Sequence, residues 1–221
     1  MINQFTIYGE RHSGTNFLQT FIIQSFNLPY TEQFGHKHFF TPLHLENQSI
    51  DDTIFFCITR NPYDWLVAIF KRPHHCGFAY KDLKQFLLHE WWSKIEFTNN
   101  EIYEDRNWNN GQRYKNIFEL RSNKLKYLYD LRFYQKYLLQ FENFLNLKNT
   151  IYIKHNISSQ FHIVSYPHKI MFKRPKNHFL SINEDVFNTI NDNIDWTTEK
   201  LLGYQPFNSY EEFLQAYSVL T

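Results

Sequence analysis

The chain has 221 residues, 43% of them hydrophobic, so it is long enough to bury one sizeable core and too short for two full-sized domains. Its 23 basic and 22 acidic residues leave a formal charge of +1, which gives no global electrostatic argument for nucleic acid or an anionic membrane as a partner, and we expect no nucleic acid partner. Its two cysteines lie in no zinc or disulfide spacing, and neither a basic leader nor an apolar window of about 18 residues occurs. We therefore expect a single cytoplasmic domain over residues 1–221, without stable membrane insertion; composition does not predict the oligomeric state.

The first element is a short strand that leads through a polar loop into a helix. Residues 5–8 are apolar or β-branched and stop at Gly9, and the loop spans residues 9–16. Beyond the loop, apolar residues recur at the spacing of one helical face, at Phe17, Leu18, Phe21, Ile22 and Phe26. The pattern predicts strand, loop and helix.

A second strand-to-helix unit follows. Residues 53–59 are apolar without alternation, as in a parallel strand covered on both faces. They end in the polar turn 60–64, which leads into the apolar residues 65–70. Two such units predict an α/β fold with three layers, in which helices cover both faces of a central parallel sheet.

The rest of the chain carries weaker patterns. Residues 80–147 show helical spacing, interrupted by the polar residues 98–111, which we interpret as a loop or lid. Residues 150–154 predict another strand. Residues 182–201 predict a closing helix with Asn183 as its N-cap.

The loop after the first strand has the composition of an anion site. A helix N-terminus offers unpaired N–H groups and partial positive charge, and Gly9 and Gly14 let the main chain wrap an oxyanion closely. The candidate ligands in chain order are Arg11, His12, Ser13, Gly14, Thr15 and Asn16. The alternative is that Ser13 and Thr15 only cap the helix. A Walker A loop does not fit, because no Gly-Lys-Ser/Thr follows a GxxxxG frame.

This loop resembles the 5′-phosphosulfate loop of sulfotransferases that use 3′-phosphoadenosine 5′-phosphosulfate (PAPS). It is most similar to a bacterial-type subgroup whose loop is Gly-Glu-Arg-x-Ser-Gly-Thr-Asn. Many members place Lys immediately before Ser-Gly-Thr, where this chain has His12, with Arg11 one step earlier. The resemblance implies a P-loop NTPase-like sulfotransferase fold in which either Arg11 or His12 contacts the bridging oxygen.

The second turn resembles the family's 3′-phosphate element, in which Arg closes a strand and Ser follows eight residues later. The resemblance assigns Arg60 to the 3′-phosphate, for which a guanidinium fork is well suited. Ala68 occupies the Ser position, so one hydroxyl donor is absent unless Lys71 or Arg72 replaces it. The alternative is an ordinary Arg60–Asp64 pair at a helix start.

Candidate catalytic residues lie between the two elements, at His36, Lys37 and His38. The subgroup carries a Lys-His pair after its first helix, which makes His38 the general-base candidate and Lys37 a stabiliser of the transferring group, with His36 a lesser alternative. The alternatives are three solvated residues in a loop, or a His satisfied by a backbone carbonyl. A metal site built from His36, His38, His74 and His75 is disfavoured, since no carboxylate completes a ligand set.

Other basic positions are weaker candidates. Lys173 and Arg174 lie where the family brings a basic loop onto the 3′-phosphate. Arg121 and Lys124 are one helical turn apart, and they face either the cleft or solvent.

The favoured hypothesis is a sulfotransferase that moves the sulfuryl group from PAPS to a hydroxyl of a glycan or small-molecule acceptor, releasing adenosine 3′,5′-bisphosphate without a metal. The alternatives are a P-loop-type small-molecule or nucleotide kinase, and a catalytically inactive nucleotide-binding module.

Overall fold

The structure is a computed structural model that describes residues 2–39, 50–131, 136–143 and 182–218. Its strands are β1 (Gln4–Gly9), β2 (Thr53–Thr59) and β3 (Lys136–Gln140). Its helices are α1 (Thr15–Phe26), α2 (Pro62–Lys71), α3 (Leu83–Leu88), α4 (Ile117–Asp130), α5 (Glu184–Asn193), α6 (Trp196–Leu201) and α7 (Tyr210–Ser218), and a 3-10 turn covers Tyr103–Asp105. The chain divides into two compact units, residues 1–61 with 127–170 and residues 62–126 with 171–221.

The first unit contains a parallel sheet in the order β1-β2-β3. Gly9 is paired in register with Ile58, and Gln140 with Thr59, so the three strands end at one edge. The predicted α/β class with a parallel sheet is confirmed. Because the carboxyl ends of parallel strands meet at one edge, the loops that follow β1 and β2 are brought together there.

The central strand β2 has the bounds that the sequence predicts. All seven of its residues are buried, as expected of a parallel strand covered on both faces. Alternate side chains from β1, β2 and β3 join apolar residues of α1 in the core of this unit, which includes Phe5, Leu18, Phe56 and Tyr137.

The third strand was not predicted. Residues 136–140 fall in the segment whose spacing predicts helices, but they pair with β2 as β3. The run is only five residues long, and such short apolar runs have no distinguishing period. The strand predicted at residues 150–154 lies outside the described residues.

The closing helix is interrupted. Asn183 caps α5 by accepting from the Val186 N–H, as predicted, but α5 ends at Asn193. Asp195 then caps α6 by accepting from the Thr198 N–H. A second N-cap inside the apolar pattern therefore divides the predicted element into two helices.

The second unit has its own core, rich in aromatic side chains and crossed by two buried ion pairs. Arg121 on α4 pairs with Glu199, and Lys124, one turn further on, pairs with Asp105. All four residues are at most 2% exposed. Arg121 and Lys124 thus stabilise this core, and neither sequence alternative, cleft or solvated surface, was correct.

The predicted loop at residues 98–111 is confirmed as largely irregular chain. Its conformation is stabilised by the Glu101 carboxylate, which accepts hydrogen bonds from Arg106 Nε at 2.9 Å and from Arg113 Nη2 at 2.8 Å. The Lys124–Asp105 pair fixes it to α4 as well. In the part of the chain that the structure describes, no helix is long and apolar enough to span a membrane.

Candidate functional site at the carboxyl edge of the sheet

The loop between β1 and α1 leaves the first turn of α1 without a cap from its N-cap side chain. The N-cap is Gly14, at φ 91°, which has no side chain to offer. Ser13 instead closes the loop on itself, since its Oγ donates to the Glu10 carbonyl oxygen at 2.5 Å and its N–H to the same oxygen at 3.1 Å. Neither Ser13 nor Thr15 occupies the N-cap, so the capping alternative does not describe this loop. The N–H groups of the first turn are a suitable anion site.

Both glycines of the loop are required by close approaches. A Cβ at residue 9 would lie 2.6 Å from the Ile58 carbonyl oxygen, and a Cβ at residue 14 would lie 2.4 Å from Cδ2 of Phe141. His12 adopts φ 63° beside them. Left-handed residues within a loop turn successive N–H groups toward one concavity, the arrangement that binds anions in many phosphate sites.

Residues 34–38 pack directly on this loop. Tyr8 Oη donates to the Phe34 carbonyl oxygen at 2.7 Å, and the Gly9 N–H donates to the Lys37 carbonyl oxygen at 3.1 Å. Nδ1 of His38 lies 2.8 Å from the Gly9 carbonyl oxygen. The fold therefore brings together two sets of predicted site residues that are more than 20 positions apart in sequence.

The contact with Gly9 determines the tautomer of His38. A carbonyl oxygen can only accept, so Nδ1 carries the proton and Nε2 presents its lone pair. Burial, followed by the positive charge of Arg11, lowers the pKa of the imidazole well below its usual 6.5. His38 is therefore neutral near pH 7, the protonation state that a general base requires.

Lys37 is held against the first two turns of α1. Its Nζ donates to Asn16 Oδ1 at 2.6 Å and to Gln19 Oε1 at 3.1 Å. Burial lowers the pKa of the amine, and the carboxylate of Glu32 partly opposes that effect. The amine is thus fixed next to Asn16, one residue beyond the start of the helix.

Two arginines complete the positive surroundings of the loop. Arg60 Nη1 donates to the His12 carbonyl oxygen at 3.0 Å, and its Cζ lies 5.0 Å from the centre of the Phe141 ring. Arg11 is buried, with its Cζ 5.0 Å from the ring centre of Phe39. Arg60, predicted to serve a separate phosphate, therefore reaches the β1–α1 loop itself.

The remaining predicted positions lie on α2 or later in the chain. Ala68 lies in the second turn of α2 and is 7% exposed. Lys71 ends that helix and Arg72 follows it, and the replacement of the absent hydroxyl by either of them stays a prediction. Lys173 and Arg174 lie outside the described residues.

His36 contacts its neighbours. Its Nδ1 accepts from the His38 N–H at 3.3 Å, and its ring stacks on Phe39 with the ring centres 4.7 Å apart. Across the described ranges, no group of three or more His, Cys, Asp or Glu side chains is arranged to hold a metal ion.

Sequence reasoning missed the contribution of the segment that follows β3. Phe141 donates its N–H to the Thr59 carbonyl oxygen at 2.7 Å, and Glu142 Oε1 accepts from the Asn61 N–H at 2.9 Å. This segment therefore supports both Gly14 and Arg60. The signal in the sequence is the short apolar run 137–139, which stops at the polar Gln140 as β1 and β2 stop at a turn.

Comparison with known proteins does not add to this geometry. No family model matches the chain, and neither a curated protein nor a solved structure does.

Proposed function

We propose that this chain is a PAPS-dependent sulfotransferase with a three-layer, P-loop NTPase-like sulfotransferase fold. The observation that carries the proposal is the convergence of Lys37, His38 and Arg60 on the glycine-capped loop after β1. Cationic groups, N–H donors and a neutral imidazole are the components that sulfuryl transfer to a hydroxyl requires.

The residues present fit the donor molecule. Gly9 and Gly14 let the loop pack closely against Ile58 and Phe141, and the first turn of α1 offers its N–H groups to an anion. The loop from Arg11 to Asn16 would hold the phosphosulfate, and Arg60 would add a guanidinium fork for a phosphate. PAPS, when bound, supplies the sulfuryl group that an acceptor hydroxyl receives.

The chain's own residues then have separate tasks. His38 Nε2 accepts the acceptor's hydroxyl proton, while its Nδ1–H remains on the Gly9 carbonyl oxygen and keeps the ring oriented. Lys37, positioned by Asn16 and Gln19, places positive charge beside the loop, where negative charge develops during transfer. His12, next to Arg11 in the loop, is the second candidate for contact with the bridging oxygen.

Calorimetry with adenosine 3′,5′-bisphosphate, without a metal, tests the proposal. We expect saturable, magnesium-independent binding that is tighter than the binding of ATP with magnesium. No binding of the bisphosphate refutes the sulfotransferase proposal. Magnesium-dependent preference for ATP favours a kinase instead.

The Arg60→Ala variant tests the donor site. Loss of one charge-assisted interaction, about 1.5–3 kcal/mol, should weaken bisphosphate binding roughly 10- to 150-fold. Lys200→Ala removes an exposed cation from α6 and serves as the matched control. Equal affinities of the two variants would show that Arg60 does not bind the nucleotide.

The acceptor is to be found by incubating the protein with labelled PAPS and panels of glycans and small hydroxyl compounds. His38→Gln should bind the bisphosphate with unchanged affinity and lose transfer to any acceptor found. Loss of binding and transfer together would indicate a structural role for His38.

A further inference from the structure

We propose that the second unit contains a separate binding pocket for a small anion with an aromatic or otherwise apolar body. The pocket has a volume of about 620 Å³, within the range of pockets that hold drug-sized molecules. It lies at the end of α2, and its lining comes from residues 72–76 together with residues 94, 96 and 97. The proposal is independent of the sulfotransferase assignment.

Backbone hydrogen bonds join the two segments that line the pocket. The Lys94 N–H donates to the His75 carbonyl oxygen at 2.8 Å, and Cys76 forms an antiparallel bridge with Ser93. His75 Nδ1 lies 3.1 Å from the Lys94 carbonyl oxygen, which is a second link between the same two segments. The two walls are therefore held in one geometry.

The charges of the lining favour an anion. Arg72 and Lys94 supply two permanent cations against the single carboxylate of Glu96. That carboxylate is occupied by His74, whose Nδ1 lies 3.1 Å from Oε1, and His75 Nε2 lies 4.0 Å from the same oxygen. The permanent charges of the lining thus leave an excess of positive charge.

Phe97 indicates that the ligand has an apolar body beside its anionic group. Its side chain is fully exposed, at 102% relative accessibility, yet it lines the pocket. Phe97 and His75 both have left-handed backbone, at φ 60° and 58°. Non-glycine residues held in this region cluster at ligand sites, and an exposed ring gains from stacking on an apolar partner.

The probe for this pocket is 1-naphthyl phosphate, which has both features. Inorganic phosphate lacks the ring and 1-naphthol lacks the charge, so each tests one half of the proposed recognition. By calorimetry we expect 1-naphthyl phosphate to bind at least tenfold more tightly than either. Absence of saturable binding, or equal binding of the three compounds, overturns the proposal.

Variants assign the binding to this pocket. Phe97→Gly removes an exposed ring and places glycine at a positive φ, so the fold is preserved while affinity should fall about tenfold. Lys94→Gln should cause a similar loss, while the exposed Lys81→Gln control should cause none. Arg60→Ala should leave the part of the affinity that depends on Phe97 unchanged. If Arg60→Ala abolishes binding and Phe97→Gly does not, the probe occupies the β1–α1 loop and the proposal is wrong.

Discussion

Replacing Gly14 with alanine should destabilise the first unit and impair the anion loop. The backbone at residue 14 has φ 91°, a conformation that costs an L-residue about 1–2 kcal/mol. The new Cβ would also lie 2.4 Å from Phe141 Cδ2, and such overpacking costs about 1–3 kcal/mol. The free energy of unfolding should therefore fall by about 2–5 kcal/mol.

Two other glycines separate these contributions. Gly111 has φ 70° with no atom within 4 Å of a built Cβ, so Gly111→Ala should cost only the backbone part, about 1–2 kcal/mol. At Gly77 the Cβ would lie 2.2 Å from Trp92 Cδ2 without a left-handed backbone, so Gly77→Ala should cost only the overlap, about 1–3 kcal/mol.

The assay must distinguish the units, because the five tryptophans all lie in the second one, at positions 65, 91, 92, 108 and 196. Tryptophan fluorescence in urea therefore reports on Gly77→Ala and Gly111→Ala. Hydrogen exchange of the β1 and β2 amides reports on Gly14→Ala. The double variant Gly14→Ala/Phe141→Ala should show favourable coupling, because removing the ring relieves the overlap.

This reasoning is refuted if Gly14→Ala costs no more than Gly111→Ala, or if removing Phe141 gives no favourable coupling. In either case the close approach would not restrict the loop. Bisphosphate affinity measured on the same variants would then show whether binding depends on the loop's geometry.

Three further predictions concern charge. Burial lowers the pKa of His38, so the acid limb of turnover against pH should lie below pH 6.5; a limb above 6.5 contradicts its role. Lys124→Met leaves the Asp105 carboxylate buried without its partner, so the free energy of unfolding in urea should fall by about 3–5 kcal/mol. The control Lys126→Met removes an exposed ion pair and should cost less than about 1 kcal/mol. Equal losses in the two variants would argue against the buried pair. Hydrogen bonds from two arginines hold the pKa of Glu101 at about 2. The ionised carboxylate therefore adds up to about 3 kcal/mol to the free energy of unfolding above pH 4.5, and this stabilisation is lost as pH falls toward 2. Acid titration of Glu101→Gln should lack this loss, and an unchanged profile would count against it.

The sequence by itself determined the strands and helices whose signals are local. Residues 53–59 form β2 with the predicted bounds, because a fully apolar run between polar turns has few other stable arrangements. Asn183 caps its helix for the same local reason. Gly14 was also recognisable in the sequence, since its left-handed backbone, at φ 91°, is a conformation that few residues other than glycine readily adopt.

Only the tertiary structure decided which residues meet. Lys37 and His38 reach the β1–α1 loop through hydrogen bonds to Asn16, Gln19 and Gly9, and no spacing in the sequence specifies those contacts. In the sequence, Arg121 and Lys124 resemble cations of an exposed surface. In the fold both are buried, and each pairs with an acidic residue that is distant in the chain. Local patterns reflect backbone preference and periodicity, whereas burial and pairing depend on contacts between distant segments, which form only when the chain folds.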